Sequence, residues 1–156
     1  MKVTAQIAKH FREIHFGVNW TWSNLQGQLT DVTVTEANAK IDSFNTIAAL
    51  AFHINYYVGA ILKVLEGGPL NASDQFSFDH PPFETQQAWN DFLQKMWRDA
   101  EAFAKLVEQL PDERLWENFD DPKYGSYYRN LHGVIEHSHY HLGQIAILKK
   151  LIRLPQ

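Results

Sequence analysis

Apolar residues at Ile7, Phe11, Ile14, Val18, Trp22, Leu25 and Leu29 step by three or four along the chain. That spacing predicts one long helix over about residues 4–30, with Gly17 tolerated in its middle. Thr33-Val34-Thr35-Glu36 has the spacing of a capping box and predicts a short helical turn near 34–40. A second stripe, Ile47, Leu50, Ile54, Tyr57, Ile61 and Val64, runs into Gly67-Gly68-Pro69. It predicts a helix that starts from a Ser43 or Asn45 cap and stops at the glycines.

Residues 69–84 carry three prolines among Asn, Ser, Asp and His, the composition of a long ordered loop or lid. Trp89, Phe92, Met96, Ala100, Phe103, Val107 and Leu110 then mark a third long helix, which Pro111 ends. Beyond a short turn at 111–116 and a loop at 120–125, a last helix is predicted from Tyr127 to Leu154. Its cationic end, Lys149, Lys150 and Arg153, complements the helix dipole. With no strand alternation and no repeat, the expected fold is all-α: a four-helix bundle with long connections between helices 1 and 2 and between helices 2 and 3.

Composition narrows the picture. A chain of 156 residues, 45% hydrophobic, suits a single domain over 1–156 with a sizeable core. The absence of cysteine excludes disulfides and a thiol nucleophile of the protein's own. Fourteen Lys and Arg against eighteen Asp and Glu give a net charge of -4, with the cations scattered, which argues against a nucleic-acid partner. The apolar run Ile47 to Phe52 is far below the roughly 18 residues of a membrane span, and the first ten residues reach charge too soon for a signal peptide. A cytoplasmic protein without a membrane partner is expected.

Eight histidines are the unusual feature. His137 and His141 stand four residues apart, about 40° around a helix, so both rings can aim at one spot, with Gln144 close to the same side. His139 lies about 160° away and cannot join them. Two imidazoles seldom suffice for a metal, and His53, mid-helix between Leu50 and Ile54, is the best third ligand. The same pair also fits an exposed or merely hydrogen-bonded role. Ser138 stands where the H-E-x-x-H motif requires Glu, and Gly133 where H-x-x-E-H requires its first His, so a zincin-type peptidase is excluded.

The run Ile135-Glu136-His137-Ser138-His139-Tyr140-His141-Leu142-Gly143-Gln144-Ile145 resembles the H-x-x-x-H-x-G-Q-I signature of the DinB/YfiT-like superfamily. Ile47 to Ile54, around His53, is similar to that family's second-helix ligand motif, as is the Asn19-Trp20 segment with Asp31-Val32-Thr33 downstream to its first-helix region, so nearly the whole chain is covered. The resemblance implies a metal-binding four-helix protein, often a homodimer, with His53, His137 and His141 as ligands and Gly143-Gln144 beside the metal. The metal it implies is divalent, zinc or nickel first, then manganese or iron. Among the family's activities are S-transfer or isomerisation with a low-molecular-weight thiol cosubstrate such as bacillithiol or mycothiol, and metal-dependent hydrolysis, which leaves the small-molecule substrate open.

Either chemistry would use a cation that lowers the pKa of a nearby water or thiol. Hydrolysis asks for a carboxylate base, and Glu136, the nearest in sequence, points about 100° away from His137. Tyr56, Tyr57, Tyr140 and Asn19 are candidate cavity-lining donors, although no residue is assigned as catalytic. His10, His15, His80, His132 and His139 read as surface or locally bonded, with His80 able to approach an open site from its loop. Leu131, Ile135, Leu142 and Ala146 form a second apolar flank that would suit a homodimer seam. A non-catalytic stress-response metal-binding protein or dimeric scaffold is the alternative to an enzyme.

Overall fold

A computed structural model describes residues 2–155, and their ordered elements are all helical. In chain order they are α1 (Val3–Phe16), α2 (Leu25–Leu29), α3 (Val34–Asn38), α4 (Ile47–Leu65), α5 (Gln86–Gln109) and α6 (Tyr127–Ile152), with 3-10 turns at Asp74–Phe76, Asp112–Trp116 and Pro122–Tyr124. Helices α5 and α6 each pack against both α1 and α4, so the four long helices enclose one core. Trp89, Phe11 and Phe103 are fully buried in it, and the Trp89 indole donates to the Val32 carbonyl at 2.9 Å.

The predicted first helix is divided. It ends at Phe16, with Gly17 as its C-cap, and resumes only at Leu25. The break is held by side-chain amides, which compete with the helical ladder for backbone partners. Asn19 donates to the carbonyls of Glu13 and Ser23, Asn24 donates to that of Gly17, and Asn24 also caps α2 by accepting from the Gly27 N–H. Val18 and Trp22, placed on the apolar stripe by spacing, stand mostly exposed on this turn.

The other helix signals act where they were read, with one shift of cap. Thr33 and Glu36 exchange both bonds of the capping box. Helix α4 is capped by Thr46 rather than Ser43 or Asn45. Its end is a Schellman arrangement in which Gly67 bonds Val64 and Gly68 bonds Lys63, with Gly67 at φ 90°. Among the described helices α4 alone is long and apolar enough to cross a membrane, yet 61% of that stretch is buried inside the fold, as a core helix must be.

Leu131, Ile135 and Leu142 are buried within the chain. Helix α6 lies against both α1 and α4 and needs two apolar flanks, so these three residues of the second flank pack into the core, while Ala146, its fourth, is half-buried.

Candidate metal centre

His53 enters from the middle of α4, and His137 and His141 enter from successive turns of α6, the helix packed against it. Their rings meet. His137 Nε2 lies 3.0 Å from His53 Nε2 and 3.1 Å from His141 Nε2. Three donors on a tetrahedral ion at about 2.0–2.1 Å would stand about 3.3–3.4 Å apart, so the two separations from His137 need to open by only a few tenths of an ångström, and all three ligand atoms lie within 4.8 Å of one another.

The outer nitrogens set the tautomers. His141 Nδ1 donates to Gln144 Oε1 at 2.6 Å, and His53 Nδ1 donates to the Ser77 carbonyl at 3.3 Å. Each bond fixes the proton on Nδ1 and leaves the Nε2 lone pair facing the cluster, the form in which imidazole binds a metal. His137 Nδ1 is buried without a partner among the described residues. Burial, reinforced by the neighbouring rings, holds His53 and His137 below the usual histidine pKa, His137 at about 4. Burial likewise lowers His141. All three are therefore neutral at pH 7.

Residues 69–84 close over this cluster and supply what no periodicity could show. Phe78 stacks on the His53 ring at 3.8 Å, nearly parallel. Tyr57 packs edge-on to both His53 and His137, and its hydroxyl donates to the Asp74 carboxylate. Burial and that carboxylate push the Tyr57 phenol up to about 12, so it stays protonated and acts as a donor. Asp74 brings a carboxylate to the cavity of the histidines, from a Pro-rich loop that has no periodicity to mark it. Glu136 itself is exposed on α6.

Histidines, Tyr57 and Asp74 share a cavity of about 920 Å³, with Tyr140 on its wall. Other expected residues lie elsewhere. Tyr56 accepts from the Ser73 N–H, Asn19 serves the turn after α1, and His80 bonds the Pro81 carbonyl and stacks on Phe83. His139 faces His10 from the other side of α6. His15 is fully buried and bonded to the Phe11 carbonyl.

Comparison with protein families bears on the whole arrangement: the sequence profile of the DinB superfamily matches residues 18–145. The chain belongs to the DinB superfamily. That match contains all three histidines of the cluster, and a DinB-superfamily chain with three converging imidazoles fits a metal-binding protein. No curated protein and no solved structure gives a significant match.

Proposed function

We propose that His53, His137 and His141 hold one divalent ion on a four-helix bundle, zinc or nickel first, with manganese or iron as further options. The observation that carries this reading is the convergence of three neutral Nε2 atoms, two of them oriented by hydrogen bonds on the opposite ring nitrogen. A bound divalent ion supplies the positive charge that makes a water or thiol acidic near neutral pH.

The reading extends to a metal-dependent enzyme acting on a small molecule, of the low-molecular-weight-thiol S-transferase or hydrolase type. For thiol transfer the chain brings no cysteine, so the thiol is a cosubstrate and the cavity supplies binding and exclusion of water. The hydrolytic version is favoured by one observation, the presence of Asp74 in the same cavity as the histidines. There Asp74 accepts a proton while the Tyr57 hydroxyl orients it.

Metal content per chain, measured on protein purified without chelator, tests the site. About one ion per chain is expected in the native protein and in His139→Ala, and none in His53→Ala or His137→Ala; equal loss in all variants overturns the assignment. Ester hydrolysis and thiol addition to a model electrophile, assayed side by side with Asp74→Asn, then separate the two chemistries. Full metal with turnover in neither assay favours the non-catalytic reading. A homodimer would have to use an outer face such as exposed Phe44, Ile147 and Leu151, and light scattering on the purified chain checks it.

A further inference from the structure

Arg129, Gly133, His137 and His141 form one row of i, i+4 positions down α6, and all four line the histidine cavity. The row has a vacancy. A Cβ on Gly133 would stand 3.0 Å from Arg129 Nη1, so one end of the guanidinium reaches the bare backbone at 133, one turn further toward the histidines. A methyl there would push that end aside by a few tenths of an ångström, and a branched side chain would crowd it further.

The lining carries two cations, Lys123 and Arg129, and the carboxylate of Asp74, and each cation has an acidic neighbour beside the cavity, Asp121 for Lys123 and Glu136 for Arg129. Asp74 is engaged by Tyr57, and Lys123 is paired with Asp121 at 3.1 Å. Arg129 is different. It forms only a loose ion pair, with Glu136 at 3.7 Å and both side chains largely exposed, and among the described residues its guanidinium makes no hydrogen bond, so its donors remain open to an incoming carboxylate. Asn130 donates to the carbonyls of Tyr124 and Ser126 and so fixes the loop whose Lys123 and Tyr124 line the same cavity.

We infer that Arg129, with its Nη1 end against Gly133, is the anchor for a carboxylate on the substrate, whose other polar end reaches the three histidines. One planar fork with open donors matches a carboxylate, which it can grip through two parallel bonds. Gly133 and His137 are one turn apart, about 6 Å along the axis. A two- or three-carbon chain between the two polar ends of a small molecule spans that gap. This specifies the substrate class of the site proposed above, and relies on the metal only for what binds at the histidine end.

Two titrations on the full-length chain test it. In metal-free protein, succinate should shift the Arg129 Nε–H and Gly133 amide NMR signals saturably, and Arg129→Gln and Gly133→Val should each abolish the saturable response. In cobalt-loaded protein, followed by its visible absorption, 3-mercaptopropionate should bind about tenfold more tightly than uncharged 2-mercaptoethanol, the preference one charge-assisted pair confers. Arg129→Gln should erase that preference while retaining cobalt. Absence of saturable shifts in the native protein, or equal binding of the two thiols, overturns the carboxylate anchor. Failure to take up cobalt would overturn the metal site instead, and the metal-free titration alone would then decide the role of Arg129.

Discussion

The Tyr57 hydroxyl donates to the Asp74 carboxylate, which ties the middle of α4 to the loop that covers the histidines. Tyr56, the adjacent residue, holds the same loop by accepting from the Ser73 N–H, and His53, one turn earlier, donates to the Ser77 carbonyl. Three consecutive attachments from one helix face therefore order a segment that has only one 3-10 turn of its own.

Tyr57→Phe keeps the ring packed against His53 and His137 and removes only the attachment to Asp74. Global stability should fall by about 0.5–1.5 kcal/mol, the net worth of one hydrogen bond. Cleavage between residues 69 and 84 under limited proteolysis should accelerate markedly more than cleavage elsewhere. Unchanged proteolysis there would show that Tyr57 does not hold the loop.

Buried His15 gives a signed pH prediction. Burial depresses its pKa from 6.5 to about 4 in the folded chain, so between those values the unfolded chain binds the extra proton. Stability from this residue is fully present above pH 6.5 and is lost as pH falls toward 4, by up to about 3 kcal/mol. His15→Phe should flatten that part of the pH–stability curve while changing stability at pH 7 by less than about 1.5 kcal/mol. Urea unfolding at pH 7, 5.5 and 4.5 measures both, and an unchanged slope in the variant rules His15 out as its source.

Ligand linkage offers a check on the histidine site without any activity assay. Zinc at about 100 times its dissociation constant should stabilise the native chain by about 2.7 kcal/mol. The same zinc should leave the Tm of His53→Ala and His141→Ala unmoved, and a chelator should reverse the gain in the native protein. An equal rise in native protein and variants would place zinc elsewhere.

Gly125 precedes α6 at φ 78° and ψ −158°, a region that residues with a Cβ rarely occupy. Gly125→Ala should cost about 1–3 kcal/mol by chemical denaturation although the new methyl meets nothing closer than 3.8 Å. A smaller loss would mean that the loop relaxes, which should appear as a shift in the Lys123 and Tyr124 NMR signals.

Three of the long helices were legible because each has an uninterrupted 3.6-residue stripe ended by glycine, proline or cationic residues. The histidine trio was legible for a related reason: i, i+4 spacing fixes a shared direction on α6, and His53 sits mid-helix among apolar neighbours. Gly17 does not mark a stop in the sequence because Val18 and Trp22 keep the stripe's period. The turn is decided instead by the Asn19 and Asn24 amides, whose partners are backbone carbonyls that no pattern displays. Asp74 escaped because a loop has no period, and Arg129 because an exposed cation on a helix looks like any solvated residue until the glycine beneath it is seen.

Helix α1 has no side-chain cap from its own flank; Asp112 accepts from the N–H groups of Val3 and Thr4 and from the Thr4 hydroxyl across more than a hundred residues. A 14-residue helix is marginal in water on its own, so α1 gains its anchor only after α5 has been made and the chain has turned at Pro111. A helix whose cap lies in a later segment cannot be secured as it is made: α1 waits for Asp112, and His53 on α4 waits longer still, for the α6 that carries its two partner histidines.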